Sequence, residues 1–199
     1  MAPILVLVVV LGAAGIWFVS AYNRLVGLKN QVANGWKQID VQLKRRHDLI
    51  PNLVETVKGA MTFERGTLEA VIAARNQAIG VVRGGGGAAV PSAGEVRQLV
   101  AAENQLSGAL GKLFAVVEAY PQLKATGNAA ALQEELASTE NKIAFARQLY
   151  NDQATSYNTA QQQFPTNMVA GMAGAAPAEL WAIADAAERE VPKVNLAAT

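Results

Sequence analysis

None of the 17 Lys+Arg or 16 Asp+Glu residues falls within Met1 to Asn23, which reads MAPILVLVVVLGAAGIWFVSAYN. A helix over Ile4 to Tyr22 would cover about 28 Å, close to the ~30 Å hydrocarbon thickness of a bilayer. Val19-Ser20-Ala21 also fits the small-residue cleavage site of a signal peptide. The segment has no basic residue before its apolar run, however, and that run exceeds the roughly 7 to 15 residues such a signal needs, which favours an uncleaved anchor. Trp17 and Tyr22 near the far end suit an interfacial aromatic belt. Gly12 and Gly15 stand three apart and make no GxxxG pairing face. The chain therefore divides into an apolar anchor, residues 1–23, and a body with the charge density of a soluble domain.

In the body, apolar residues recur at spacings of three and four: Leu25, Leu28, Val32, Trp36, Ile39 and Leu43, then Ile50, Val54, Val57, Met61, Leu68 and Ile72. This is a helical stripe. Asn34-Gly35 lies inside it without strand alternation on either side, so it reads as a weak point in a helix, costing about 1 kcal/mol relative to Ala. Pro51 either bends one very long helix reaching about Val82 or opens a second helix as its first residue. Helices of similar length would cover all the apolar stripes of a four-helix bundle, so two helices are the slightly favoured reading. Arg83 to Pro91, with Gly84 to Gly87, forms a flexible connection, and Ser92 with Glu95 three residues on is a capping box that starts the next helix.

That helix carries the seam Val96, Leu99, Glu103, Leu106, Leu110, Leu113, Val117 and Tyr120, and Thr126-Gly127-Asn128 closes it. A last long helix begins near Ala129. Along it Leu136, Ile143, Tyr150, Tyr157 and Phe164 stand seven apart beside Thr139, Ala146, Gln153 and Ala160, a spacing that fits a left-handed antiparallel bundle with the tyrosines as core. The body thus spans residues 24–167. Residues 168–199 form a Gly/Ala-rich tail with a short amphipathic helix around Leu180, Trp181, Ile183 and Ala184, read as a loosely ordered terminus rather than a docked segment.

Several chemistries are excluded. Without Cys there is no disulfide, thiolate metal site, Cys nucleophile or lipid-anchored cysteine, and the single His47 rules out a multi-histidine centre. The four glycines are followed by no GK[ST] and are not a phosphate loop. Lys44-Arg45-Arg46-His47 is basic but lacks an aromatic platform, and the net charge is only +1, so nucleic acid is not an expected partner. His47 and Asp48 are neighbours that share no helical face. No set of nucleophile, base and orienting group assembles, and no cofactor is expected.

One charge interrupts an apolar column. Glu103, if buried unpaired, would cost several kcal/mol. In antiparallel hairpins closed at the glycine linker and at Thr126-Gly127, Glu103 falls opposite Ile72, one turn from Arg75, and also opposite Arg147. Arg75, Glu103 and Arg147 are therefore the candidate structural ion pair, which would fix helix register rather than form a reactive site.

Four blocks carry a resemblance: YNRLVGLKNQVANGWKQIDVQLKRRHDLIPNLVETVKG from Tyr22 to Gly59, LSGALGKLFAVVEAYPQLKA from Leu106, LQEELASTENKIAFARQLYN from Leu132, and YNTAQQQFPTN from Tyr157. In this order they resemble the LemA family of bacterial membrane-anchored helical proteins. The resemblance implies an all-α protein with one N-terminal transmembrane helix, an up-and-down antiparallel four-helix bundle, and no established catalytic activity. Gly35 stands where the family pattern suggests Ala, and Met168 to Thr199 lacks the family's aromatic-glycine ending. The expected function is a non-enzymatic scaffold or adaptor at the bacterial inner membrane. It would touch lipid through the first helix and other membrane proteins, or further copies of itself, through the bundle. Arg24, Lys29 and Lys37 follow the span and no basic residue precedes it, which by the positive-inside rule puts the N-terminus outside and the bundle in the cytoplasm. Two other readings are a membrane-remodelling protein, which tubulation of vesicles by the body would reveal, and an enzyme with a pocket inside the bundle, which two convergent titratable groups in a cavity would reveal.

Overall fold

The computed structural model describes residues 1–59, 61, 64–84, 90–120 and 127–181. These form five helices and no strand: α1 (Ala2–Lys58), α2 (Arg65–Gly84), α3 (Ala93–Glu118), α4 (Gly127–Gln162) and α5 (Thr166–Met172). The glycine linker beyond Gly84 and the connection before Gly127 lie outside the described residues, as do Ile183 and Ala184 of the expected C-terminal helix.

α1 is a single helix of 57 residues, and Pro51 sits inside it. This departs from the two-helix reading in which Pro51 opens a new helix. The break comes instead after Lys58, and α2 starts with its own phase at Arg65. That reset moves the buried face of α2 by one residue, so Val71 is fully buried while Ile72 is 42% exposed. A proline is tolerated within a helix only if the carbonyl four residues back finds another donor. Arg75 supplies it, because its Nε donates to the His47 carbonyl at 2.6 Å.

The body is built from two close helix pairs, α1 with α4 and α2 with α3. α1 and α4 run antiparallel, as the contacts Trp36–Tyr150 and Arg45–Glu135 show. Gly35 lies at their closest approach: an added Cβ would collide with Gln153 Oε1 and stand 3.2 Å from the Tyr150 Cα. At Ser92 the capping box forms at the start of α3, with Ser92 N–H donating to Glu95 Oε2 at 2.7 Å and Glu95 N–H to Ser92 Oγ at 3.3 Å.

Leu136, Ile143, Tyr150 and Tyr157 of the heptad column are buried in the core, but Phe164 is 81% exposed because α4 has ended at Gln162. The tail is not loose as far as Trp181. Asn158 and Asn151 each make paired hydrogen bonds with its backbone, at Ala178 and Trp181 respectively, and Tyr150 Oη donates to the Glu179 carbonyl at 2.6 Å. Ala178 and Trp181 join Val96, Leu99 and Val100 of α3 in one apolar cluster, and Arg97 bridges to Glu179 at 3.1 Å. An extended strap, residues 175–181, thus seals α4 to α3.

Candidate functional site

The core is split into two large apolar clusters. The far one holds Ile50, Leu53, Val57, Leu106, Leu110 and Leu136; the near one holds Val32, Ile39, Leu43, Val100, Ile143 and Tyr150. Between them lies a polar layer to which all four long helices contribute.

Its centre is Glu103 on α3, 3% exposed. Glu103 Oε2 accepts from Arg46 Nη1 at 3.1 Å and Oε1 lies 2.8 Å from His47 Nε2, which must donate to an ionised carboxylate. Arg46 is 2% exposed, and its Nη2 donates to Ser107 Oγ at 2.7 Å. Its Nε stands 2.9 Å from Glu140 Oε1 on α4, in ion-pair range without hydrogen-bond alignment. Thr139, buried one residue earlier, turns its hydroxyl onto the Glu135 carbonyl at 2.8 Å. α2 closes the layer through the Arg75 bond to the His47 carbonyl. Partial burial pushes the Glu140 carboxyl above the usual carboxylate range, against the pull of Arg46; Glu103 adds to the push and Arg147 to the pull.

Of the three residues proposed from sequence, Glu103 is the buried charge at the centre. Its partners are Arg46 and His47 instead of Arg75 and Arg147. Arg75 serves the carbonyl left free by Pro51, and the Arg147 guanidinium lies 5.2 Å from the centre of the Trp181 ring. Arg75 misses Glu103 because α2 restarts its phase, and Arg147 misses it because α4 brings Glu140, about two turns earlier, to the layer. The partners come instead from α1, where Arg46 and His47 belong to the basic cluster Lys44 to His47. A signal was present: the α1 stripe skips from Leu43 to Ile50, and Arg46 and His47 occupy the missing turn. Arg45 does face solvent, paired with Glu135 at 2.8 Å.

Chemically, the layer is a set of paired charges, with the Glu103 carboxylate and the Ser107 hydroxyl both accepting from Arg46. Two hollows, about 450 Å³ at the α1–α2 corner and about 380 Å³ on the outer α1–α4 face, are lined by other residues. Among the described residues no group of three or more His, Asp or Glu side chains could hold a metal ion.

Magnetosome protein MamQ 2 of Paramagnetospirillum magneticum is 28% identical over 172 residues, covering 79% of this chain and 63% of that protein. MamQ of Magnetospirillum gryphiswaldense is 26% identical over 167 residues, covering 77% and 61%. Protein LemA of Metamycoplasma hominis is 25% identical over 167 residues, covering 84% and 71%. The chain thus spans less than two thirds of the length of the two magnetosome proteins. The LemA family model matches residues 35–196, from the Gly35 crossing through the polar layer and past the strap, and the chain belongs to the LemA family.

Proposed function

We propose that the protein is a membrane-anchored scaffold whose bundle is held at a fixed height above the bilayer and acts through contacts with other membrane proteins or further copies of itself. The observation that carries this reading is the continuity of α1. Its apolar first part is long enough to cross a membrane and only 6% buried by protein, while its second part supplies the bundle core from Leu25 to Val57. Apolar surface of that extent needs a partner, and lipid is the one that fits its length and lack of charge. The relatives are bacterial, and none of their names states a reaction.

The basic residues Arg24, Lys29 and Lys37 after the span favour a cytoplasmic bundle at the inner membrane with the N-terminus outside. A photo-crosslinking residue placed at exposed Phe145 or Leu149, used in native membranes with mass spectrometry, should yield discrete protein adducts. Crosslinks to water and lipid alone at every exposed bundle position would contradict a scaffold. A C-terminal reporter active only outside the inner membrane would overturn the orientation.

A further inference from the structure

We propose that α5 and the turn before it form a second membrane contact, an interfacial wedge that seats the base of the bundle in the headgroup and upper acyl region beside the span. The proposal rests on the reading of α1 as an anchor.

The wedge is placed by its packing. Val169 and Ala170 of α5 are buried against Ala21 and Leu25 of α1, with Phe18 packed on the same cluster. Ala21 and Phe18 precede Arg24, the first charged residue of the chain, by three and six positions. At the helical rise the contacts from Phe18 to Leu25 put α5 between the level of Arg24 and about 9 Å to its membrane side. Helices that lie in the interface bury themselves to about the same depth, 5 to 10 Å. The start of α3 lies on the water side: Val90 and Ser92 share a hollow with Lys29, which follows Arg24 in the chain.

The composition agrees with the placement. The stretch from Gln153 to Ala178 contains no charged residue. Among its outward side chains, beside the uncharged polar Gln162, Gln163 and Asn167, are three large apolar ones: Phe164 is 81%, Met168 66% and Met172 77% exposed. Three such residues along α5 and the turn before it would form an unfavourable patch in water. The patch adjoins a helix whose exposed face is itself apolar through Val19 and Tyr22, so one lipid surface covers both. Phe164, Met168 and Met172 then have the bilayer as their occupant, and two attachment points, the span and the wedge, fix the tilt and rotation of the bundle on the membrane.

The chain has no Cys, so single spin labels can be introduced without background. Full-length protein carrying Phe164→Cys, Met168→Cys or Met172→Cys, with Val10→Cys and Asp152→Cys as references, is labelled and reconstituted in phosphatidylcholine/phosphatidylglycerol nanodiscs. Collision rates with oxygen, which partitions into lipid, and with a water-soluble nickel chelate are then measured. The wedge predicts that labels at 164, 168 and 172 collide severalfold more with oxygen than with nickel, as at position 10, while position 152 shows the reverse. Labels at 164, 168 and 172 as nickel-accessible as position 152 would overturn the wedge while leaving the anchor intact. Shielding of these labels from both reagents would also overturn it, by showing cover from a second copy. A nickel-accessible position 10 would overturn the anchor and the wedge together.

Discussion

Glu103→Ala removes the carboxylate that two buried donors share. At the observed 3.1 Å separation, the attraction between Arg46 and Glu103 is roughly 5 kcal/mol at an effective dielectric constant near 20, before desolvation is counted. After truncation Arg46 remains 2% exposed, holding only Ser107 and the partly exposed, poorly aligned Glu140. His47 Nε2, on a side chain buried from solvent, loses its acceptor. Breaking a buried pair on one side costs about 3 to 5 kcal/mol, and because Glu140 retains part of the attraction the expected loss is near the lower end. Urea unfolding of the full chain in mild detergent, followed by far-ultraviolet circular dichroism, measures it. Replacing Arg46, His47 and Glu103 together by Leu should recover most of the loss, since no charge is then stranded. A double-mutant cycle of Glu103 with Arg46 should give coupling well above 1 kcal/mol, and one with Arg147 close to zero. A loss under about 1 kcal/mol for Glu103→Ala, or equal coupling to Arg46 and Arg147, would refute the polar layer as described.

Arg75→Ala should cost about 1 to 3 kcal/mol by leaving the His47 carbonyl without a donor, and much less in a Pro51→Ala background, where the restored backbone N–H can take its place; equal losses in both backgrounds would separate Arg75 from Pro51. Gly35→Ala should destabilise by about 1 kcal/mol because the clash with Gln153 and the close approach to the Tyr150 backbone outweigh the gain in helix propensity, and Gln153→Ala should relieve only the side-chain part of that loss, as read from unfolding midpoints. Burial, with a smaller contribution from Glu179, pushes the Tyr150 phenol up to about 12 from its ordinary 10. The folded state therefore holds this proton more tightly, so its contribution to stability is full below pH 10 and is lost as pH rises toward 12, by about 2 to 3 kcal/mol in all. Unfolding free energies measured from pH 9 to 12 should show that fall, and Tyr150→Phe should remove most of it.

The helices, the apolar anchor and the capping box at Ser92 were legible because each rests on local periodicity or a local spacing. Glu103 was legible as a buried charge for the same reason. Its partners were not, because partner choice depends on register between helices, and register depends on where a helix restarts. Pro51 looked like the restart, but Arg75 compensates the lost hydrogen bond from a distance of 24 positions, a tertiary solution that no local rule contains. The strap was missed for a related reason. Its anchors are asparagine side chains at 151 and 158 that hydrogen-bond to strap backbone, and in sequence Asn on a helix reads only as a polar surface residue.

In this structure one unbroken helix, α1, runs from the apolar anchor to the polar layer. Val10 and Val41 are both exposed on α1, 57% and 58%, and are separated by 31 positions. Spin labels on Val10→Cys/Val41→Cys protein in nanodiscs, read by double electron–electron resonance, should give a single narrow distance distribution centred near about 46 Å. A broad distribution, or one centred well below that distance, would show a joint between anchor and bundle and contradict this continuity.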